Sequence, residues 1–154
     1  MKIVYITAAR SKDRTKIGSV IIKNGSIISS GFNGFPRGVI DQPKRLENRT
    51  IKYRLIVHSE ENAICNAARL GVSTYGGILY TQTYPCCECA KSIAQSGIMQ
   101  VVVHQQFGYL SHTKKWENSV KYSKIIFNEA NVSVRIFDQF LGMDAFIDGK
   151  IVKV

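Results

Sequence analysis

Long apolar runs are missing from this 154-residue chain. None approaches the ~20 residues a helix needs to cross a bilayer, so no membrane span is expected. The N-terminal MKIVYITAARSKDRTK holds only a short apolar segment, broken by Thr7 and Arg10, with no secretory h-region or cleavage site. It reads as a first structural element, and the expected location is the cytoplasm. Internal repeats, low-complexity tracts and linkers are also lacking. That leaves one domain over residues 1–154, long enough to bury a core. Disulfide-type cysteine spacing is absent: Cys86, Cys87 and Cys89 crowd into four positions, and Cys65 falls in a helical pattern. In a reducing compartment such clustering points to metal or thiol chemistry. Acidic residues are scarce, 11 against 21 lysines and arginines, which gives a net charge of +10 and a pI near 9.6. The imbalance favours an anionic partner such as a nucleotide phosphate, a nucleic acid or an acidic surface. No arginine-rich tail and no basic–aromatic repeat accompanies it, so a single-strand nucleic-acid platform is not expected.

The patterning that is present alternates strands with helices. Residues 2–10 read as a short helix despite β-branched Ile3, Val4, Ile6 and Thr7. GSVIIKNGSIISSGFNG reads as a hairpin, two β-branched runs joined by the turn pair Asn24-Gly25. Phe32 to Val57 is irregular, with two prolines and many charges, and a loop of that length in a compact domain is more often functional than idle. A helix is expected from His58 to Gly71, with Arg69 in its last turn, where a cation suits the dipole. GILYTQ reads as a strand, Cys86–Gln95 as a helix stopped by Gly97, and IMQVVVH as a strand apolar enough to be central. Residues 116–130 are spaced as a helix, and VSVRIF closes as a strand; the tail from Asp138 is ambiguous between the two. This order defines an α/β layered domain with an antiparallel pair at one end of a partly parallel sheet.

Two short segments carry the chemistry. VHSEENAICNAA sets His58 two residues before Glu60 at a helix start, and TYPCCECAKSIA sets Cys86 and Cys89 at C-x-x-C spacing behind Pro85. One imidazole and two thiolates form a donor set that zinc prefers. A closed structural site needs a fourth protein ligand, and none is suitably placed. There is no second C-x-x-C, Cys65 lies about two helical turns beyond His58, and His104 and His112 stand at no ligand-type spacing. Cys65, Cys87, His104 and His112 read as packing or surface residues. Three ligands with an open fourth position are what catalysis requires. Both sets lie at helix N-termini, where free N–H groups favour thiolates. Zinc lowers the pKa of bound water towards ~7, and Glu60 is placed to take up and pass on its proton.

H-S-E followed by P-C-C-E-C is the H-x-E…P-C-x-x-C signature of zinc nucleobase deaminases. Over most of its length the chain resembles the cytidine and deoxycytidylate deaminase superfamily, most closely its deoxycytidylate branch. GFNGFPRG is similar to that branch's G-Y-N-G-x-P-x-G loop, with Phe32 replacing tyrosine. HSEENAI is similar to H-A-E-x-N-A-I, with Ser59 replacing alanine. KKWENSVKYSKIIFNEANVSV resembles the closing W-x-x-S helix and strand, which contains Trp116 and Ser119.

The resemblance implies a cytidine deaminase-like α/β/α sandwich of three layers around a five-stranded mixed sheet. It implies one catalytic Zn2+ per chain on His58, Cys86 and Cys89, with Glu60 carrying protons during hydrolytic deamination of dCMP to dUMP. Backbone N–H groups of Cys86 and Ser59 would orient the attacking water, and the Asn33 side chain would bind the sugar. Arg37 is the first phosphate candidate, with Arg10 and Lys12 behind it. The Ser59 hydroxyl would contact substrate or a backbone carbonyl. The expected partner is a small nucleotide rather than a nucleic acid or membrane. A homo-oligomer is implied, with dCTP and dTTP as candidate regulators, although the segment between Gly38 and His58 is shorter than in regulated members. The competing readings are a deaminase of cytidine, guanine or a base in tRNA or single-stranded DNA, and a non-catalytic zinc or nucleotide-binding module, which would have no use for Glu60.

Overall fold

A computed structural model describes residues 1–111 and 114–154, with side chains for all of these but 109–111 and 114–115. The elements run α1 (Lys2–Ala8), β1 (Gly18–Lys23), β2 (Ser26–Phe32), α2 (Pro43–Glu47), α3 (Arg49–Leu55), α4 (Ser59–Arg69) and β3 (Ile78–Thr81). They continue as α5 (Cys87–Gln95), β4 (Gln100–His104), α6 (Gln105–Ser111), α7 (Lys114–Glu129), β5 (Ser133–Phe137), β6 (Asp144–Ile147) and β7 (Lys150–Lys153). The main sheet has the order β2-β1-β3-β4-β5. β1 is antiparallel to both β2 and β3, whereas β3, β4 and β5 are parallel. Parallel neighbours need long crossovers, and α5 and α7 lie within them.

Three layers form because each strand face has its own cover. Ile21, Leu79 and Val101 stand side by side in register and pack with Ala63 of α4, Ile93 of α5 and Phe127 of α7. On the other face, Tyr5 of α1 packs with Phe107, Ala145 and Val154. β4 is covered on both sides, and its last four residues are buried; it is internal as expected, one strand in from the edge. The expected α/β/α sandwich with a five-stranded mixed sheet is therefore the fold observed.

The hairpin turn holds Asn24 at φ 51° and Gly25 at φ 77°, the two positive dihedrals a type I′ turn demands. Two of the departures from expectation, α2 and α3, fall where little is buried, whereas α6 and the tail contribute Phe107, Ala145 and Val154 to the second core. The stretch 32–57 is not irregular throughout but contains α2 and α3, and neither buries a residue. Pro43 opens α2, and the Asn48 side chain accepts the Ile51 N–H to cap α3. The tail forms a second hairpin, β6–β7, and α6 follows β4 directly.

One close approach sets the distance between α4 and the sheet. A Cβ on Gly31 would fall 2.3 Å from Ala63 N and 2.5 Å from Ser59 O, both backbone atoms of α4. Gly31→Ala should therefore cost about 1–3 kcal/mol of stability through overpacking. Gly108→Ala in α6, where a Cβ meets nothing within 4 Å, should instead gain about 0.5–1 kcal/mol. Urea unfolding midpoints of the two variants provide the measurement.

Candidate active site

Two extended residues lead into helices whose starts face each other. His58 (φ −72°, ψ 157°) caps α4, and Cys86 (φ −70°, ψ 168°) caps α5. Neither uses its side chain to close its own helix, so imidazole and thiol are left for one another. The approach to α4 is fastened by a pair of backbone bonds, Gly34 N–H to Val57 O at 3.1 Å and Val57 N–H to Gly34 O at 2.8 Å. The approach to α5 is held by α7: Ser119 Oγ accepts the Cys87 N–H at 2.8 Å, and Ser123 Oγ donates to Pro85 O at 2.8 Å.

The three soft donors meet at this point. Cys86 Sγ lies 3.3 Å and Cys89 Sγ 3.4 Å from His58 Nδ1, and all three ligand atoms are within 4.8 Å of one another. Ligands bonded to one tetrahedral zinc at ordinary lengths sit about 3.6 Å apart, so the donor set and its spacing fit the ion. The Trp116 ring stands edge-on to His58, centroids 5.9 Å apart. Glu60, in the first turn of α4, is 3% exposed. Its carboxylate accepts a hydrogen bond from Ser59 Oγ at 3.0 Å, and Ser59 Oγ lies 2.8 Å from Ser19 Oγ of β1.

Proton sharing within the cluster is uneven. Cys86 drops to about 4, chiefly through the Cys89 thiol donating to it and then through His58, against the cost of burial. His58 rises to about 9, chiefly through its bond to Cys86, with Glu60 and Glu61 adding and burial opposing. Cys89 is pushed up by its bond to Cys86 and by burial. Burial also raises Glu60, against the pull of His58.

The remaining expected residues divide by burial. Asn33 is 7% exposed, with Oδ1 accepting the Ile17 N–H and Nδ2 donating to Thr15 O, each at 2.9 Å. Arg37 is exposed and bonds Asn66 Oδ1 at 2.7 Å. Arg10 lies over the Phe32 ring, 5.0 Å from its centroid, and Lys12 pairs with Asp41 at 2.9 Å. The Ser59 side chain is fully buried and bonded to Glu60 and Ser19, and no backbone carbonyl among the described residues receives its hydroxyl. Cys65 is exposed, and Cys87 stays outside the donor trio. His104 lies on the opposite sheet face, bonded to Tyr5; His112 lies outside the described residues. Sequence reading missed Ser19, whose β1 position carries no motif, and the capping role of Ser119.

A walled-in carboxylate beside three donors for one zinc ion defines the class, a zinc hydrolase that works on water. Residues 1–105 match the family model described as the cytidine and deoxycytidylate deaminase zinc-binding region. The chain belongs to this family of zinc-dependent deaminases. It is 39% identical over 126 residues to an uncharacterized deaminase in the luxG 3′ region of Aliivibrio fischeri, covering 80% of this chain and 81% of that one. It is 32% identical over 144 residues to the deoxycytidylate deaminase of Homo sapiens, covering 89% and 76%. Its fold matches the crystal structure of dCMP deaminase from cyanophage S-TIM5 in apo form with TM-score 0.68 at 26% identity, covering 88% and 92%. The match to the same enzyme in complex with dCMP and dUMP has TM-score 0.68 at 25% identity. No helix among the described residues is long and apolar enough to cross a membrane.

Zinc loading should report the proton arrangement. Near pH 7 the metal-free cluster holds an imidazolium at His58, a thiolate at Cys86 and a thiol at Cys89. Ligation needs neutral imidazole and two thiolates, so the three ligands should release about two protons per ion near pH 7, and water acidified towards a pKa of ~7 should add to the count. The ligands' share should fall towards about one as pH rises through about 9, where His58 has already lost its proton, while the water's share rises towards about one. Calorimetry in buffers of different ionisation enthalpy measures the count; one proton or none at pH 7 would contradict the arrangement.

Proposed function

We propose that the protein hydrolyses dCMP to dUMP and ammonia. One observation carries the reading: the Glu60 carboxylate is buried beside the His58–Cys86–Cys89 donors in a chain 32% identical over 89% of its length to a deoxycytidylate deaminase. The resemblance in fold to a phage enzyme crystallised with dCMP and dUMP supports the same substrate.

His58, Cys86 and Cys89 would hold the zinc, which when bound supplies water acidified from a pKa of 15.7 towards ~7. Glu60 accepts a proton from that water as its oxygen bonds to C4 of the cytosine ring, and passes the proton to N3. It then carries the proton of the new C4 hydroxyl to the exocyclic nitrogen. The C4–N4 bond breaks, ammonia leaves, and C4 becomes a carbonyl. The backbone N–H groups of Cys86 and Ser59 sit at the helix starts, suited to orient the water and the developing oxyanion.

Donor arithmetic leaves room for the rest of the nucleotide. An amide nitrogen has two hydrogens; Asn33 Nδ2 spends one on Thr15 O, and the second is assigned to the sugar. A guanidinium has five, so Arg37 can bond Asn66 and still meet a phosphate. Arg10 ranks next. Lys12 ranks last because Asp41 already balances its charge. A homo-oligomer, with dCTP and dTTP as effectors, belongs to the same reading. It is tested by light scattering and by assays with each nucleotide added.

A panel of cytosine, adenine and guanine nucleosides and nucleotides, scored by ammonia release, tests the function; failure to turn over dCMP would refute it. Glu60→Gln should keep about one zinc per chain and lose about 10²–10⁴-fold in kcat. A variant of near-normal rate would remove Glu60 from the chemistry. Arg37→Ala should raise KM for dCMP about tenfold while barely changing deoxycytidine turnover; equal effects on both would exclude Arg37 as the phosphate anchor.

A further inference from the structure

Ser19 and Ser59 are both fully buried, and Glu60 is 3% exposed. A serine hydroxyl has one proton to give. Ser59 gives its proton to Glu60 Oε2 at 3.0 Å, so the 2.8 Å contact with Ser19 runs from the Ser19 hydroxyl to Ser59 Oγ. The result is a directed chain from the sheet to the carboxylate: Ser19 to Ser59 to Glu60. It exists because α4 lies so close to the sheet. Ser19 is the register partner of Gly31, the residue whose missing side chain admits the first turns of α4.

We infer that Ser19 and Ser59 are positioning residues for proton transfer, fixing the Glu60 carboxylate by Oε2 and leaving Oε1 to take and deliver protons. This rests on Glu60 being the proton carrier. Neither serine touches substrate: both side chains are shut off from the surface. Hydrogen bonds arranged in series polarise one another, so Ser19 acts on the carboxylate through Ser59. A carboxylate with several rotamers open to it spends part of its time turned from the reacting atoms; one tied by Oε2 does not.

The experiment compares Ser19→Ala, Ser59→Ala and the double variant, each with its zinc content measured by atomic emission and its urea midpoint recorded. Both changes only remove an atom and overpack nothing, and the urea midpoint shows how much stability each loses through its unpaired partner. Ser59→Ala should lower kcat for dCMP about tenfold, with KM within about twofold of wild type. Ser19→Ala should lower kcat about threefold, and the double variant should be no slower than Ser59→Ala alone, because contacting residues couple. An unchanged kcat in zinc-loaded Ser59→Ala would overturn the proposal, and so would a rise confined to KM, which would place Ser59 against substrate. A full Ser19→Ala effect persisting in the Ser59→Ala background would also overturn it. If the wild type turns over no cytosine nucleotide, the functional reading falls. The urea midpoints then decide separately: additive losses would deny the hydroxyl chain, and a double loss smaller than the sum would support it.

Discussion

The contact on which the rest depends is the backbone-to-backbone approach of α4 to strands β1 and β2 at Gly31. No side chain intervenes there, so polar groups of the sheet reach α4 directly. Ser29 Oγ donates to Ala63 O at 2.6 Å, Asn62 Nδ2 to Phe32 O at 2.8 Å, and Asn66 Nδ2 to Ser30 O at 2.8 Å. Each such bond contributes about 1 kcal/mol net, but their larger effect is geometric. They fix the helix along its axis and about it, and thereby fix where His58 and Glu60 stand. A chemical site that tolerates errors of about 0.5 Å needs support of this kind.

Burying Glu60 is costly, and the neighbourhood shows how the cost is offset. Taking a carboxylate out of water is unfavourable unless it is paired and hydrogen-bonded. Glu60 has a hydroxyl on one oxygen and the positive charge of His58 nearby. The donor trio carries its own compensation, since an imidazolium beside a thiolate is a neutral pair. Metal and protons therefore compete for the same three atoms. This is why ligand affinity and protonation are linked in such sites, and why an arrangement of caps that leaves both side chains free at the helix starts is part of the design.

What the sequence made legible follows from what is buried. α4 and α5 have apolar stripes and glycines past their ends, Gly71 at φ 69° and Gly97 at φ 73°, and both were readable. So was the donor trio, because catalytic zinc imposes both residue type and helix-start position. α2 and α3 were not readable, because helices that bury nothing have no apolar period to display. The β6–β7 hairpin had a signal that went unused: Asp148 at φ 50° and Gly149 at φ 82° form the same kind of turn as Asn24-Gly25. Its strands are four residues each and mostly exposed, so their pattern is weak. Ser19 was out of reach for another reason. Its partner is 40 residues away, and only the fold brings a serine in one strand onto a serine that replaces alanine in a motif.

The charge of the chain takes on meaning once the fold is in view. Residues 10–16 and 37–54 together hold ten of the 21 basic residues but only three of the 11 acidic ones. These two segments are joined by Lys12–Asp41 at 2.9 Å and by the largely buried pair Lys52–Asp13 at 3.1 Å. They flank the site in the chain: the first leads through Thr15 and Ile17 to the Asn33 amide, the second through Val57 to His58. Neither α2 nor α3 places a residue in the core, and apart from Lys52, which the fold uses in its pair with Asp13, their cations are in keeping with an anionic substrate as proposed above. A concentration of positive charge beside a catalytic group raises the local concentration of anions and their rate of arrival. These two segments hold most of the positive excess of the chain, and the nucleotide substrate proposed above carries the opposite charge.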